Sequence, residues 1–247
     1  MRVQPWQATP DAVHLWRVNL EVADEVRSAL LPLLSPQEVR RAGRFLRTVE
    51  RRRYVVAHAA LRQVLGRYLQ MEPARVPLAA GPRGKPGLAG GGGLRFNLAH
   101  AGGLALIAVT CGREVGIDVE VVRPGRVLAA LVEQYFSPLE QAEWLSLPAE
   151  RRTAAFYAGW TQKEAYLKAT GEGLWGRTRT FSVRLAGAPG LVASDWGSAE
   201  VRRWRFLQFR PAPGYIAAVA AEDGDWQASW WQWNVEGEQA SRWAISE

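Results

Sequence analysis

Two carboxylates one residue apart, Asp118 and Glu120 in "VGIDVE", close an apolar stretch of the chain. On a strand, residues two apart share a face, so these two point together while Ile117 and Val119 point the other way, into a core. Like charges so close repel, and more strongly once water is excluded. Either the pair is wetted surface, or a cation lies between its members. Downstream, in "FYAGWTQKEAYLKATGEGL", Trp160, Glu164 and Lys168 recur every four residues and form one helical stripe. On a solvated face Glu164 and Lys168 would be a simple i,i+4 ion pair. Here Trp160 starts the stripe and Phe156 and Tyr157 lie one turn earlier, so the stripe faces protein and Glu164 can join the strand pair. Three acidic ligands with room for water and phosphate oxygens suit Mg²⁺ rather than a soft metal. Three histidines and one cysteine are too few for a zinc site.

Cations for phosphate lie upstream. Arginines crowd residues 40 to 53, and Arg40, Arg44, Arg47 and Arg51 are expected on one helical face. Guanidinium groups clamp phosphates in a bidentate way, and Lys85 in "RGKP" adds a point charge on a tight turn. By itself the run is equally a solvated helix, and His100 in "FNLAHA" is equally a hydrogen-bonded structural residue. The chain has 31 basic residues, of which only Lys85, Lys163 and Lys168 are lysines. In so arginine-biased a chain, lysine is expected where a compact, titratable ammonium is needed, and all three fall inside motifs.

The elements that must hold these groups read as follows. "RRRYVVAHAALRQVLGRYLQ" has apolar residues at helical spacing, preceded by a short helix capped by Ser35 with Pro36 in its first turn. "LALIAVT" and "EVGIDVEVV" read as strands joined by "CGR", hence a hairpin. Helices follow over 137–146 and 150–169, the second closed by Gly171. "TFSVRL", "RRWRFLQFR", "GYIAAVAAE" and "WQASWWQW" read as strands. The pair "GLALIAVT-CGRE-VGIDVE" and "GYIAAVAA-EDGD-WQASWWQW" looks like an internal repeat: two α/β halves, 1–113 and 114–247, related by a pseudo-twofold in an α+β protein.

With 247 residues and 48% apolar content the chain can bury a substantial core. It shows no apolar leader and no stretch able to span a membrane, and its single cysteine, Cys111, fits a reducing compartment; a cytoplasmic protein is expected. The net charge of +7 favours anionic partners.

Together, "GKP", "FNLAHAGGLALIAV", "VGIDVE" and "WTQKEAYLKATGEGL" resemble the 4′-phosphopantetheinyl transferases of the Sfp-like, monomeric kind, over about residues 35 to 185. The resemblance implies two similar α/β halves with coenzyme A in the cleft between them. It also implies Mg²⁺-assisted transfer of the phosphopantetheine arm to a serine of an apo acyl or peptidyl carrier protein, with release of adenosine 3′,5′-bisphosphate. By motif position Asp118, Glu120 and Glu164 would bind the metal. Lys168 would contact the pyrophosphate and assist the leaving group. Lys85, His100, Arg44, Arg53 and Arg41 would hold the nucleotide phosphates, and Lys163 has no clear role. The serine needs a base, for which Glu164 or a metal-bound water serves, with Glu164 preferred. One departure stands out: Ala99 and Ala101 replace the serines that usually flank the motif histidine.

The resemblance implies an acidic carrier, and Arg123 and Arg126, just after Glu120, are expected at the docking surface. Two other readings are a nucleic-acid module built on the arginine helix, and a carrier-binding protein that has lost activity. The first needs no carboxylates. The second sits poorly with a full set of them, and neither nucleic acid nor membrane is expected as a partner.

Overall fold

A computed structural model of the chain describes residues 7–81, 84–90, 92–125, 127–173, 177–222, 224–235 and 241–243. The first half runs through strand β1 (Ala12–Asn19), helices α1 (Asp24–Leu30), α2 (Pro36–Ala42) and α3 (Thr48–Leu69), the short pair β2 (Leu78–Ala80) and β3 (Pro86–Leu88), then β4 (Leu94–Ala101) and β5 (Leu104–Cys111). The second follows the same plan: β6 (Val115–Val121), α4 (Ala129–Tyr135), α5 (Pro138–Ser146), α6 (Ala149–Thr170), β7 (Phe181–Val183) and β8 (Leu191–Ser194). A short α7 (Ser198–Arg203) precedes β9 (Trp204–Phe209) and β10 (Tyr215–Glu222). Two last strands, β11 (Gln227–Gln232) and β12 (Ser241–Arg242), follow.

The sheets have the orders β12-β11-β1-β5-β4 and β6-β10-β9, so the triplets β1-β5-β4 and β6-β10-β9 match. Helix α3 buries the apolar stripe expected from its spacing, with Leu61, Val64 and Leu65, and α6 buries Ala165, Tyr166 and Ala169. Between the two sheets, Leu15 and Leu106 of the first meet Ile117, Val119 and Val219 of the second. The class is mixed α+β, as the element pattern indicates.

Pairing departs from expectation in one instructive way. The strands around "CGR" do not form a hairpin: β5 pairs with β1 and β4, while β6 pairs with β10. Likewise β10 pairs with β6 and β9, and β11 crosses to lie parallel to β1. Both short turns are crossovers between sheets, because β5 and β10 already have both edges taken. The true hairpins are β4–β5 and β9–β10. Strand β11, from the 114–247 half of the chain, thus joins the first sheet beside β1.

Each half also opens a helix with the same four-residue pattern, "SPQE" at α2 and "SPLE" at α5. In both, the serine hydroxyl accepts from the glutamate N–H and the glutamate accepts from the serine N–H, a capping box. The buried glutamates then each take a cation from the long helix: Arg62 Nε donates to Glu38 at 2.7 Å, and Lys163 Nζ to both Glu140 oxygens at 2.7 and 2.8 Å. The two cations lie 24 and 23 positions after their glutamates. Lys163, whose role the sequence leaves open, is thus a buried structural ammonium.

Burial opposes the Glu38 charge, but hydrogen bonds with His58, the Ser35 N–H and Arg62 outweigh it and bring the carboxyl down to about 2. A depressed carboxyl stabilises the fold fully above its unfolded pKa, and the gain is lost as the pH falls through the folded value. From a reference of 4.5 the contribution is roughly 3 kcal/mol. Urea titrations should therefore show Glu38→Gln less stable than the parent near neutrality, with the gap closing between pH 4.5 and pH 2. A gap independent of pH would refute the assignment.

Candidate active site

Helix α6 lies across the outer face of β6. Residues 116, 118 and 120 point toward it, while Ile117 and Val119 are buried between the sheets, as alternation requires. Gly116 permits the close approach: a Cβ there would lie 2.0 Å from the Ala165 carbonyl oxygen and 2.4 Å from the Ala169 nitrogen. Glu164 and Lys168 precede those two contact residues by one position each, so the helix that rests on Gly116 delivers both to the strand.

Lys168 Nζ donates to Asp118 Oδ1 at 2.5 Å, and Asp118 Oδ2 is buried with no hydrogen-bond partner among the described residues. Burial raises the Asp118 carboxyl, and Lys168 pulls it back. Glu120 is raised by burial and then by the Asp118 charge, against a hydrogen bond from Trp160, whose ring stacks on Phe156. Glu164 is pushed up to about 7 by burial, the Asp118 charge and, less strongly, Glu120, with Lys168 opposing. Lys168 feels all three carboxylates, which outweigh its burial and hold it protonated. The three acids and the lysine therefore form one coupled group.

Among the described residues, no group of three His, Cys, Asp or Glu side chains is arranged to hold a metal ion as it stands. The donor set still suits a hard divalent cation: three carboxylates balanced by one ammonium, with one buried oxygen unpartnered.

The nucleotide candidates divide. The His100 imidazolium is disfavoured by burial first, then by the charges of His58, Lys168 and Arg53. Arg53 donates to Glu21 at 2.8 and 2.6 Å. Arg41 and Arg44 lie farther out, with Gln37, Arg40 and Phe45 around a cavity of about 700 Å³. The expected single arginine face does not exist: α2 ends at Ala42 with Gly43 as its cap, and α3 begins after Arg47. That break also divides the stripe a nucleic-acid reading would need. Lys85 donates to Glu114 Oε2 at 2.7 Å and to the carbonyls of Ala169 at 2.8 Å and Val115 at 3.3 Å. Its three protons are spent on pinning the turn before β3 to α6 and β6. Arg123 is exposed and its charge reaches Glu120, while Arg126 lies outside the described residues.

A cavity of about 270 Å³ adjoins Glu164 and Lys168, walled by Gly84 to Pro86 and by Asn97 and Leu98 of the first half. Asn97 Oδ1 accepts from the Ile117 N–H at 2.9 Å and stitches β4 to β6. Asn97, Gly116 and the Trp160 contact escaped the sequence reading. The repeated S-P-x-E pattern was a visible signal for the Glu38 and Glu140 pairs.

Fold and site together describe an α+β enzyme with an acidic group at the seam between its halves. Comparison with known proteins makes the class specific. A family model described as the 4′-phosphopantetheinyl transferase superfamily matches residues 114–220. The 4′-phosphopantetheinyl transferase HetI of Nostoc sp. (strain PCC 7120) is 38% identical over 90% of this chain and 93% of its own. A putative 4′-phosphopantetheinyl transferase of Synechocystis sp., slr0495, is 33% identical over 81% of this chain and 79% of its own. The 4′-phosphopantetheinyl transferase Sfp of Bacillus subtilis is 26% identical over 83% and 89%. The chain belongs to the 4′-phosphopantetheinyl transferase superfamily. No helix among the described residues is long and apolar enough to cross a membrane.

Proposed function

We propose that this enzyme moves the phosphopantetheine arm of coenzyme A to a serine of an acidic acyl or peptidyl carrier protein, with Mg²⁺, acting as a cytoplasmic monomer. The observation that supports the reading is the convergence of Asp118, Glu120 and Glu164 around Lys168, with Asp118 Oδ2 buried and unpartnered among the described residues. Asp118, Glu120 and Glu164 would hold the ion. When bound, Mg²⁺ neutralises charge on the pyrophosphate and fixes the reacting groups in line.

The carrier serine Oγ forms a bond to the phosphorus that bears the pantetheine. The bond from that phosphorus to the oxygen bridging the pyrophosphate breaks, and adenosine 3′,5′-bisphosphate departs. Glu164, or a metal-bound water, would take the serine proton, with Glu164 preferred. Lys168 lies within reach of the same acids and supplies positive charge to the leaving phosphate. The 270 Å³ cavity beside them is large enough for a purine ring, and its walls come from both halves, which favours a substrate lying in the cleft.

Intact-mass spectrometry of an apo carrier incubated with the enzyme, coenzyme A and Mg²⁺ tests this. The carrier should gain the phosphopantetheine mass. The gain should vanish with chelator and slow by more than about 100-fold in Asp118→Ala. An Asp118→Ala enzyme that keeps the parent rate would remove Asp118 from the reaction.

A further inference from the structure

We propose that His58 binds phosphate in this enzyme, sharing with His100 the recognition of a phosphomonoester on the nucleotide end of the donor. The proposal rests on the coenzyme A reading above.

His58 sits one turn after Tyr54 on α3, and two neighbours fix its ring. Its Nδ1 lies 3.1 Å from Glu38 Oε1, and its face stacks on Tyr54 with centroids 4.0 Å apart. Nε2 makes no hydrogen bond to any described residue, and the side chain keeps 19% of its surface exposed. An imidazole held at one nitrogen by a carboxylate, with the other open to solvent, is prepared to donate to an anion.

The ring is also in the right place. His100 shares its face of β4 with Phe96, which packs in the same core cluster as Tyr54, so His100 looks toward α3. Among the charges acting on His100, that of His58 is felt most strongly, ahead of Lys168 and Arg53. On the far side, the Arg41 guanidinium lies over the Tyr54 ring at 5.9 Å, at the edge of the arginine cavity. Lys168, His100, His58 and Arg41 thus form a track of nitrogen donors outward from the carboxylates.

A phosphomonoester dianion is the group such a track discriminates for, and coenzyme A carries one on its ribose, whereas 3′-dephospho-coenzyme A does not. The full-length enzyme, His58→Gln and His58→Phe are compared with both donors on one carrier. The second variant keeps the stacking on Tyr54. The ratio of kcat/KM for coenzyme A over the dephospho donor should fall roughly tenfold in both variants, the loss of one charge-assisted hydrogen bond. A ratio that stays at the parent value, however the absolute rates move, reduces His58 to a structural residue and overturns the proposal. Calorimetry with adenosine 3′,5′-bisphosphate against adenosine 5′-monophosphate gives the same ratio without turnover. If the parent enzyme transfers from neither donor, the transferase reading fails while the calorimetric ratio still decides the role of His58. A parent that binds neither nucleotide overturns both.

Discussion

Gly116→Ala should cost the enzyme about 100-fold in activity and about 2–3 kcal/mol in stability, although it adds one methyl group. The methyl would meet backbone on both sides, the Ala165 carbonyl oxygen at 2.0 Å and the Ala169 nitrogen at 2.4 Å. No side chain can swing aside to make room, so α6 must lift from β6 by an ångström or more. Glu164 and Lys168 ride on that helix, and Asp118 stays on the strand. Misplacement on this scale is enough to lose two orders of magnitude in a reaction that depends on alignment. Because the clash is with backbone, Ala165→Gly or Ala169→Gly should not rescue it. Urea unfolding together with initial rates of carrier modification measures both effects. A Gly116→Ala enzyme with near-parental rate and stability would show that α6 does not rest on this glycine.

Lys163→Met should be the most destabilising single change outside the cleft, by about 3–5 kcal/mol. Both partners are inaccessible, with side-chain exposures of 1% and 0%. Burial pushes the Glu140 carboxyl up and the Lys163 ammonium down, and each is sustained by the other. The carboxylate also accepts from the N–H groups of Val183 and Ser137, and the ammonium donates to the Phe181 carbonyl. Removing the lysine strands a carboxyl committed to α5, α6 and β7 at once. Replacing both partners with apolar residues of similar size should cost less than the two single changes together, because no uncompensated charge remains. A double-mutant cycle by urea denaturation gives the coupling energy. If Lys163→Met alone lowers stability by under about 1 kcal/mol, the pair is not what holds α5 to α6.

Much of this was legible in the sequence, and the failures share a cause. The long helices and the strands around 104, 115, 204, 215 and 227 follow directly from apolar period. Strand β4 passes unnoticed because its polar residues break the apolar pattern: Asn97 tethers β6, and His100 lies on the opposite face of the strand. The connections from β5 to β6 and from β10 to β11 read as hairpins because chain proximity is the only local guide to pairing, and whether both edges of β5 are taken is a non-local fact. The carboxylates were legible because spacing alone puts Asp118 and Glu120 on one face. The arginine face was not, since a single glycine after α2 breaks the periodicity that four arginines seem to continue. Gly116 was invisible because what it needs is the backbone of a helix some fifty residues away.

The repeat explains why one cleft carries the acids. If Arg62 and Lys163 are aligned, Gln63 of α3 stands where Glu164 does, and Arg67 where Lys168 does. Gln63 accepts from the Trp233 indole at 2.9 Å, and Arg67 lies over Trp16 at 5.8 Å. The equivalent positions of the first half are occupied with packing the last strands.

The return of β11 to β1 bears on how the chain matures. Arg17 and Gln232, hydrogen-bonded across that parallel pair, are 215 positions apart. As the polypeptide emerges from the ribosome, β1 can find β5 early but must wait for nearly the whole chain before its other edge is covered. Until then β1 is an open, apolar edge of the kind that recruits strands from other molecules. Slow translation of the second half prolongs that exposure, so yield on overexpression should depend on chaperones that shield nascent strand edges more than on the thermodynamic stability of the finished enzyme.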